Sequence, residues 1–424
     1  MGESANDVDV LVIGAGPGGI AAAVIAGEAG ARVGLIDDGS FAGGQIWRNR
    51  GESGKSTSAR QWVRRLEAAC GSGAVNWHRQ SRAVGAPAAN LLLCDSPQGL
   101  RRIGWKSLIL APGARELFLP FPGWTLPGVF GAGALQALMK QGLPVQGKRV
   151  VVAGSGPLLL AVADLLRSSG AVVPRVLEQA PAGRVNRFAV SLVATPSKLA
   201  AGVMLRARLL GCGYSTDSYP LRVEQGTAGL RLDYKCGNQE RSIECDYLAC
   251  GFGLIPNSEL PQLLGCRLTP DGFVWVDQQM QSTVENVYAI GEVTGIGGVE
   301  KAMLEGQIAG HLAVKNRGAA DALAAAHASA KAFAAKLELA FALRPELMSL
   351  ADDQTIICRC EDVRLSALRC WASARDAKLQ TRCGMGPCQG RVCGPILQHL
   401  LNAEPPQVRA PIFPVSVATL ARDD

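Results

Sequence analysis

The chain has 424 residues, 48% of them hydrophobic and 19% charged, which is too long for one compact core and too apolar for a disordered polymer. A net charge of +7, carried by scattered basic residues with no aromatic-interleaved stripe, argues against nucleic-acid binding. No secretory signal opens the chain and every apolar run is broken before it could cross a bilayer, so a cytoplasmic protein is expected whose 13 cysteines are thiols or metal ligands.

The first stretch, VDVLVIGAGPGGIAAAVIAGEAGARVGLIDD, reads as a complete βαβ unit. A β-branched strand over Val8 to Ile13 leads into a glycine turn, an Ala-rich helix, and a second strand that ends at Asp37. Gly14 permits the tight turn, Gly16 lets the backbone approach a pyrophosphate, and Gly19 allows close packing of helix on strand. Helix N-terminal amides then face the phosphate charge, and Asp37 is placed to accept ribose hydroxyls. Gly14, Gly16, Pro17, Gly18, Gly19 and Asp37 are therefore candidate dinucleotide-binding residues.

A second unit begins at KRVVVAGSGPLLLAVADLLRSSGAVVPRVLEQ. Its strand spans Arg149 to Ala153, its turn carries Gly154 and Gly156, its helix starts near Pro157, and a further strand closes at Glu178. Leu159 stands at the third glycine position, where a bulky side chain pushes helix from strand or shifts the turn. Two readings stay open: a working NAD(P) site, or a vestigial or repurposed one such as a structural ATP site. Beyond Gly318 an Ala-rich segment without Gly or Pro reads as a helical spacer, and the end of the chain, EPPQVRAPIFPVSV, as an extended strap on another surface. The four histidines, His78, His311, His327 and His399, are isolated and read as structural or surface residues rather than acid-base groups.

Two nucleotide folds in tandem resemble the two-dinucleotide-binding-domain flavoproteins of the glutathione-reductase superfamily, over about three quarters of the chain. GGQIWR, with Gly44 and Gln45, resembles the loop under the flavin. Ala111, Pro112 and Gly113 occupy the block where a strand returns to the FAD domain, with Pro in place of the usual Thr. CGFGLIPNSEL resembles the crossover, and Gly291-Glu292 the closing FAD block, whose acidic residue takes the ribityl hydroxyls. Glu292 replaces the commoner Asp there, and its longer arm must be accommodated. FAD is thus implied. Disulfide reductases of this superfamily place a cysteine pair beside the flavin, early in the FAD domain or within the second nucleotide domain; no cysteine precedes Cys70 and the second domain has only scattered ones such as Cys212, so a disulfide reductase is not expected.

Cys358 and Cys360 form a C-x-C pair, and Cys388 and Cys393 a C-x4-C pair within a glycine-rich stretch. Four thiolates in two pairs suit a [2Fe-2S] cluster, tetrahedral zinc, or a redox pair. The one-residue spacer is tight for zinc, and Gly384, Gly386, Gly390 and Gly394 free amides to turn toward sulfur. The pattern resembles the bacterioferritin-associated-ferredoxin (BFD) type of [2Fe-2S] domain, which implies Cys358, Cys360, Cys388 and Cys393 as ligands and leaves Cys370 and Cys383 spare.

The whole order of blocks resembles the α-type subunit of heteromeric opine oxidases, hydroxyproline or proline dehydrogenases, and hydrogen cyanide synthase. The expected fold is α/β, a glutathione-reductase-like two-domain flavoprotein with a small C-terminal BFD-like domain. The implied layout is an FAD domain at 1–121 and 245–316, a degenerate NAD(P)-type domain at 122–244, a spacer at 317–350, the [2Fe-2S] domain at 351–402 and a Pro-rich tail at 403–424. The resemblance also implies a D-amino-acid-oxidase-like flavin partner (β), room for a small third subunit, an electron acceptor through which the protein would touch the inner membrane, and an electron-relay role. The alternative is an NAD(P)H-dependent FAD/[2Fe-2S] reductase.

Overall fold

The structure, a computed structural model, describes residues 8–47, 57–227, 229–371, 373–400, 408–417 and 421. Arg48, the side chain of His399 and residues 403–407 of the tail lie outside the described residues. Two compact units are present: Met1–Arg115 with Ile255–Ala335 and Val408–Asp424, and Glu116–Leu254 with Lys336–Gln407. The cysteine-bearing segment therefore groups with the second nucleotide-type domain, and the spacer divides between the units.

In the first unit, strands Val75–His78, Val33–Ile36, Val8–Ile13 and Gly99–Leu110 form a parallel sheet in that order, and Val287–Ala289 pairs onto the last. Parallel strands covered on both faces need unbroken apolar runs, and Val10, Leu11 and Val12 are at most 1% exposed. Gly99–Leu110 also continues an antiparallel meander with Arg82–Ala88 and Leu91–Ser96. The helix Pro17–Glu28 packs on the helix Gly298–Ala313. Only glycine permits the approach at Gly306, because a Cβ there would lie 2.1 Å from the Gly18 carbonyl oxygen. The described tail lies on the same unit: Ile412 N donates to Val84 O at 2.9 Å, and the Arg82 guanidinium covers the Phe413 ring.

In the second unit, Gly213–Ser215, Arg175–Glu178, Val150–Gly154, Tyr247–Gly251 and Val129–Gly131 make another parallel sheet. An antiparallel sheet of Ser218–Gly226, Gly229–Cys236 and Gln239–Cys245 accompanies it. Leu159 does not face solvent. It is fully buried, and the neighbouring strand carries Gly251, where a Cβ would sit 3.4 Å from Leu159 Cδ2. The tighter neighbour of a Cβ at Gly251 would be Ala132 Cβ, at 3.1 Å.

The expected spacer helix is two helices, Arg317–Asp321 and Ala324–Phe341. Asn316 caps the first, its Oδ1 accepting from Ala319 N at 3.3 Å. Residues beyond Asp352 build a small module around a strand pair, Ile356–Cys358 with Val363–Arg364, and helices Leu365–Leu368, Ala374–Thr381 and Cys393–Leu400. Its own core contains Ile357, Leu365, Leu368, Ala377, Ile396 and Leu397. Trp124 Nε1 donates to Ile356 O at 2.6 Å and ties the module to the rest of its unit.

Candidate functional site

The first glycine turn is closely packed on one side and open on the other. Gly14 has φ +104°, and a Cβ on it would lie 2.2 Å from Ala111 O; a Cβ on Gly19 would lie 1.8 Å from Gly14 O. Neither position admits a side chain. At Gly16, by contrast, a Cβ would meet nothing within 4 Å, so the backbone faces open space. Pro17 starts the helix, where its missing N–H is no loss, and Gly18 passes close to Ala302 O. Asp37 accepts from Ala15 N at 2.6 Å and from Gly39 N at 2.7 Å, yet stays half-buried. These residues fit the pyrophosphate and ribose of a dinucleotide.

Gly44, with φ +57°, packs over the turn, since a Cβ on it would be 2.9 Å from Gly16 Cα. Gly43 N donates to Ala15 O at 2.8 Å, holding that loop against the turn, while Gln45 is exposed. Ala111, Pro112 and Gly113 follow the strand Gly99–Leu110 and are braced by Asn257. Its Nδ2 donates to Pro112 O at 2.9 Å, its N to Gly113 O at 3.1 Å, and its Oδ1 accepts from Arg115 at 2.9 Å. Arg115 in turn pairs with Glu259 at 3.0 Å. The two blocks singled out separately in the sequence thus form one hydrogen-bonded corner.

Glu292 uses its longer arm locally. Its carboxylate accepts from Gly297 N at 3.0 Å and Gly298 N at 2.9 Å, at the start of the helix Gly298–Ala313. Burial raises its pKa, and the two amides oppose that. Beneath it lies a network absent from the sequence reading. Gly291 N donates to Glu305 Oε2 at 2.7 Å, and Lys301 Nζ bridges Glu305, Thr294, Gly291 O and Gly295 O. His327 Nε2 sits 3.1 Å from Glu305 Oε1. Burial raises the Glu305 pKa, but His327 and Lys301 more than offset it and hold the carboxyl below its ordinary range. His327 is therefore a partnered structural histidine. The i,i+4 spacing of Lys301 and Glu305 was the only local signal of this network.

The second turn differs. Gly154 and Gly156 have φ +147° and +90°, but Glu178 is fully buried and accepts from Gly156 N at 2.7 Å and Ala180 N at 2.8 Å. Burial pushes its pKa up to about 7 despite those amides.

In the C-terminal module the thiols converge. Cys358, Cys383 and Cys393 are each about 1% exposed, with all three sulfurs within 4.8 Å of one another. Cys383 Sγ lies 4.0 Å from Cys393 Sγ, and Gly384 N points at Cys358 Sγ at 3.4 Å. Cys360 and Cys388 interact with each other on the more exposed side. Cys358 also interacts with Cys393, whereas Cys360 and Cys388, two of the four thiols singled out by spacing, lie outside the group of three converging sulfurs. Cys383, set aside as spare in the sequence, is the third converging sulfur; Cys370 is exposed. Gly384 and Gly390, at φ +81° and +77°, make the turns that allow this approach, and the donor set suits a thiolate-bound metal. Among the described residues, no helix is long and apolar enough to cross a membrane.

Comparison with known proteins agrees with this geometry. Residues 8–307 match the pyridine nucleotide-disulphide oxidoreductase family. An opine oxidase subunit from Rhizobium meliloti is 33% identical, over 97% of this chain and 98% of that protein. Hydrogen cyanide synthase subunit HcnB of Pseudomonas aeruginosa is 30% identical, over 90% of each. The crystal structure of L-proline dehydrogenase from P. horikoshii superposes with a TM-score of 0.67 at 21% identity, covering 98% of this chain and 80% of that one, a likeness of fold. Thioredoxin reductase of Lactococcus lactis gives 0.56 at 18% identity, over 73% and 99%. The chain belongs to the pyridine nucleotide-disulphide oxidoreductase family and is an FAD-dependent oxidoreductase.

Proposed function

We propose that this chain is the electron-transfer subunit of a heteromeric amino-acid dehydrogenase of the opine, hydroxyproline, proline or glycine type. FAD is held at Gly14, Gly16, Pro17, Gly18, Gly19 and Asp37, with Gly44, Gln45, Ala111, Pro112, Gly113, Gly291 and Glu292 around it. A [2Fe-2S] cluster is held by the BFD-like module through Cys358, Cys360, Cys388 and Cys393. The amine is oxidised on a D-amino-acid-oxidase-like partner, and a small third subunit completes the complex. We place it in the cytoplasm, meeting the inner membrane through its acceptor.

The observation that carries this reading is the buried thiol nest in a module with its own core, on a flavoprotein fold. FAD, when bound, takes electrons in pairs and the cluster passes them on singly. The chain's own residues do the holding: Gly16 leaves room for phosphate, the Asn257 corner fixes the Pro112 turn, and Glu305 with Lys301 fixes the Gly291 turn. Among the described histidines, His327 is spent on Glu305, so it offers no base for amine chemistry. The subunit names of the relatives support a heteromeric assembly. Expressed alone, the chain should be yellow-brown, contain iron, and fail to oxidise proline-like, opine or glycine substrates. Full amine dehydrogenase activity from the isolated chain would sink the relay assignment.

A further inference from the structure

The two glycine turns of this chain form an internal comparison. Above the first, Gly16 faces open space; above the second, a Cβ on Gly156 would lie 3.6 Å from the Phe341 ring. Phe341 closes the helix Ala324–Phe341, and its ring meets Phe188 edge-on at 5.3 Å. Its carbonyl accepts from Ser155 Oγ, within the turn itself, at 2.7 Å. Gln179, the residue after Glu178, donates to Ala342 O at 3.2 Å and accepts from Arg344 N at 3.2 Å. Arg344 is held further by Asp217 at 2.5 Å and lies over the Tyr219 ring.

We propose that residues 341–344 are a specificity strap that fills the pyrophosphate cradle of the second dinucleotide-binding domain and excludes NADH and NADPH. A dinucleotide needs three things there: a free amide at Gly156, an accessible acid at the end of the second strand, and space above the turn. The amide is taken by Glu178, Glu178 is fully buried, and the space holds Phe341. The extra methylene of Glu178 matters. In the first turn the shorter Asp37 reaches the amide of Ala15 and leaves Gly16 free, whereas Glu178 reaches one residue further along, to the second glycine of its turn. Electrons then enter this flavoprotein by a route other than hydride from a nicotinamide. The inference goes beyond the relay reading and does not depend on it.

The test uses the full chain loaded with FAD, mixed anaerobically with millimolar NADH or NADPH. The flavin spectrum should stay oxidised, and hydrogen exchange at 154–157 and 341–344 should be unchanged. Bleaching of the flavin by either coenzyme, or altered exchange in either segment, would overturn the strap. A Gln179→Ala, Arg344→Ala double variant removes the strap's polar anchors and should raise exchange at 341–344 by about tenfold or more. Unchanged exchange in that variant would equally overturn it. A chain lacking iron or oxidising amines by itself would defeat the relay reading while leaving these results as they are.

Discussion

Replacing Gly16 with alanine separates folding from cofactor binding. Gly16 has φ −72° and ψ 177°, an extended conformation that alanine adopts freely, and its added methyl would meet no atom within 4 Å. The apoprotein should therefore lose no stability, and restriction of the unfolded chain would add about 0.5 kcal/mol. Bound FAD meets a different situation, because the methyl stands where the backbone must come close to the pyrophosphate. Displacing one phosphate oxygen from its amide forfeits a charge-assisted hydrogen bond, about 1.5–3 kcal/mol. That corresponds to FAD affinity roughly 10- to 150-fold weaker. Flavin fluorescence titration reads the affinity, and thermal melting of apoprotein reads the stability. Wild-type FAD affinity in Gly16→Ala, or an apoprotein melting temperature lowered by more than about 4 °C, would refute the reasoning.

The neighbouring Gly19→Ala should behave oppositely, destabilising the apoprotein by about 1–3 kcal/mol, because its Cβ would sit 1.8 Å from Gly14 O and the helix must shift; an unchanged melting temperature would contradict this. Glu178 supplies a pH test. Its folded pKa of about 7 lies above the ordinary 4.5, so its protonated form favours the fold: stability is full below about pH 4.5 and falls by about 3 kcal/mol as pH rises through 7. Urea unfolding of Glu178→Gln should lack that decline, and a parallel pH dependence in variant and wild type would count against the burial argument. In the thiol nest, Cys358→Ser and Cys393→Ser should abolish bound iron, while Cys383→Ser should alter the electron paramagnetic resonance signal, since its sulfur lies within 4.8 Å of both. A Cys383→Ser spectrum identical to wild type would show that this sulfur does not perturb a cluster held by Cys358, Cys360, Cys388 and Cys393.

What the sequence made legible was local. The strand Val8–Ile13, its turn and Asp37 follow from β-branched residues, glycine spacing and one acid at the right distance. The second unit was equally readable as an element order, and Leu159 was visible as a departure. Its full burial was not, because the strand it packs near, Tyr247–Gly251, lies far along the chain. The strap was hidden for the same reason. Ser155 and Phe341 are 186 residues apart, and a helix end carries no local sign of the turn it will cover. Cys383 shows a third limit: spacing within a motif ranks candidate ligands, but the turns at Gly384 and Gly390 decide which sulfurs meet. His327, isolated in the sequence, finds its partner Glu305 only through folding.

The central claim is that this chain relays electrons and leaves amine chemistry to a partner. Its most direct test is to purify the chain alone, quantify FAD, iron and acid-labile sulfide, and add proline-like, opine and glycine substrates under anaerobic conditions. The account predicts one FAD with about two iron atoms and no flavin bleaching until the partner flavin subunit is added. Bleaching by an amine in the absence of any partner would contradict it.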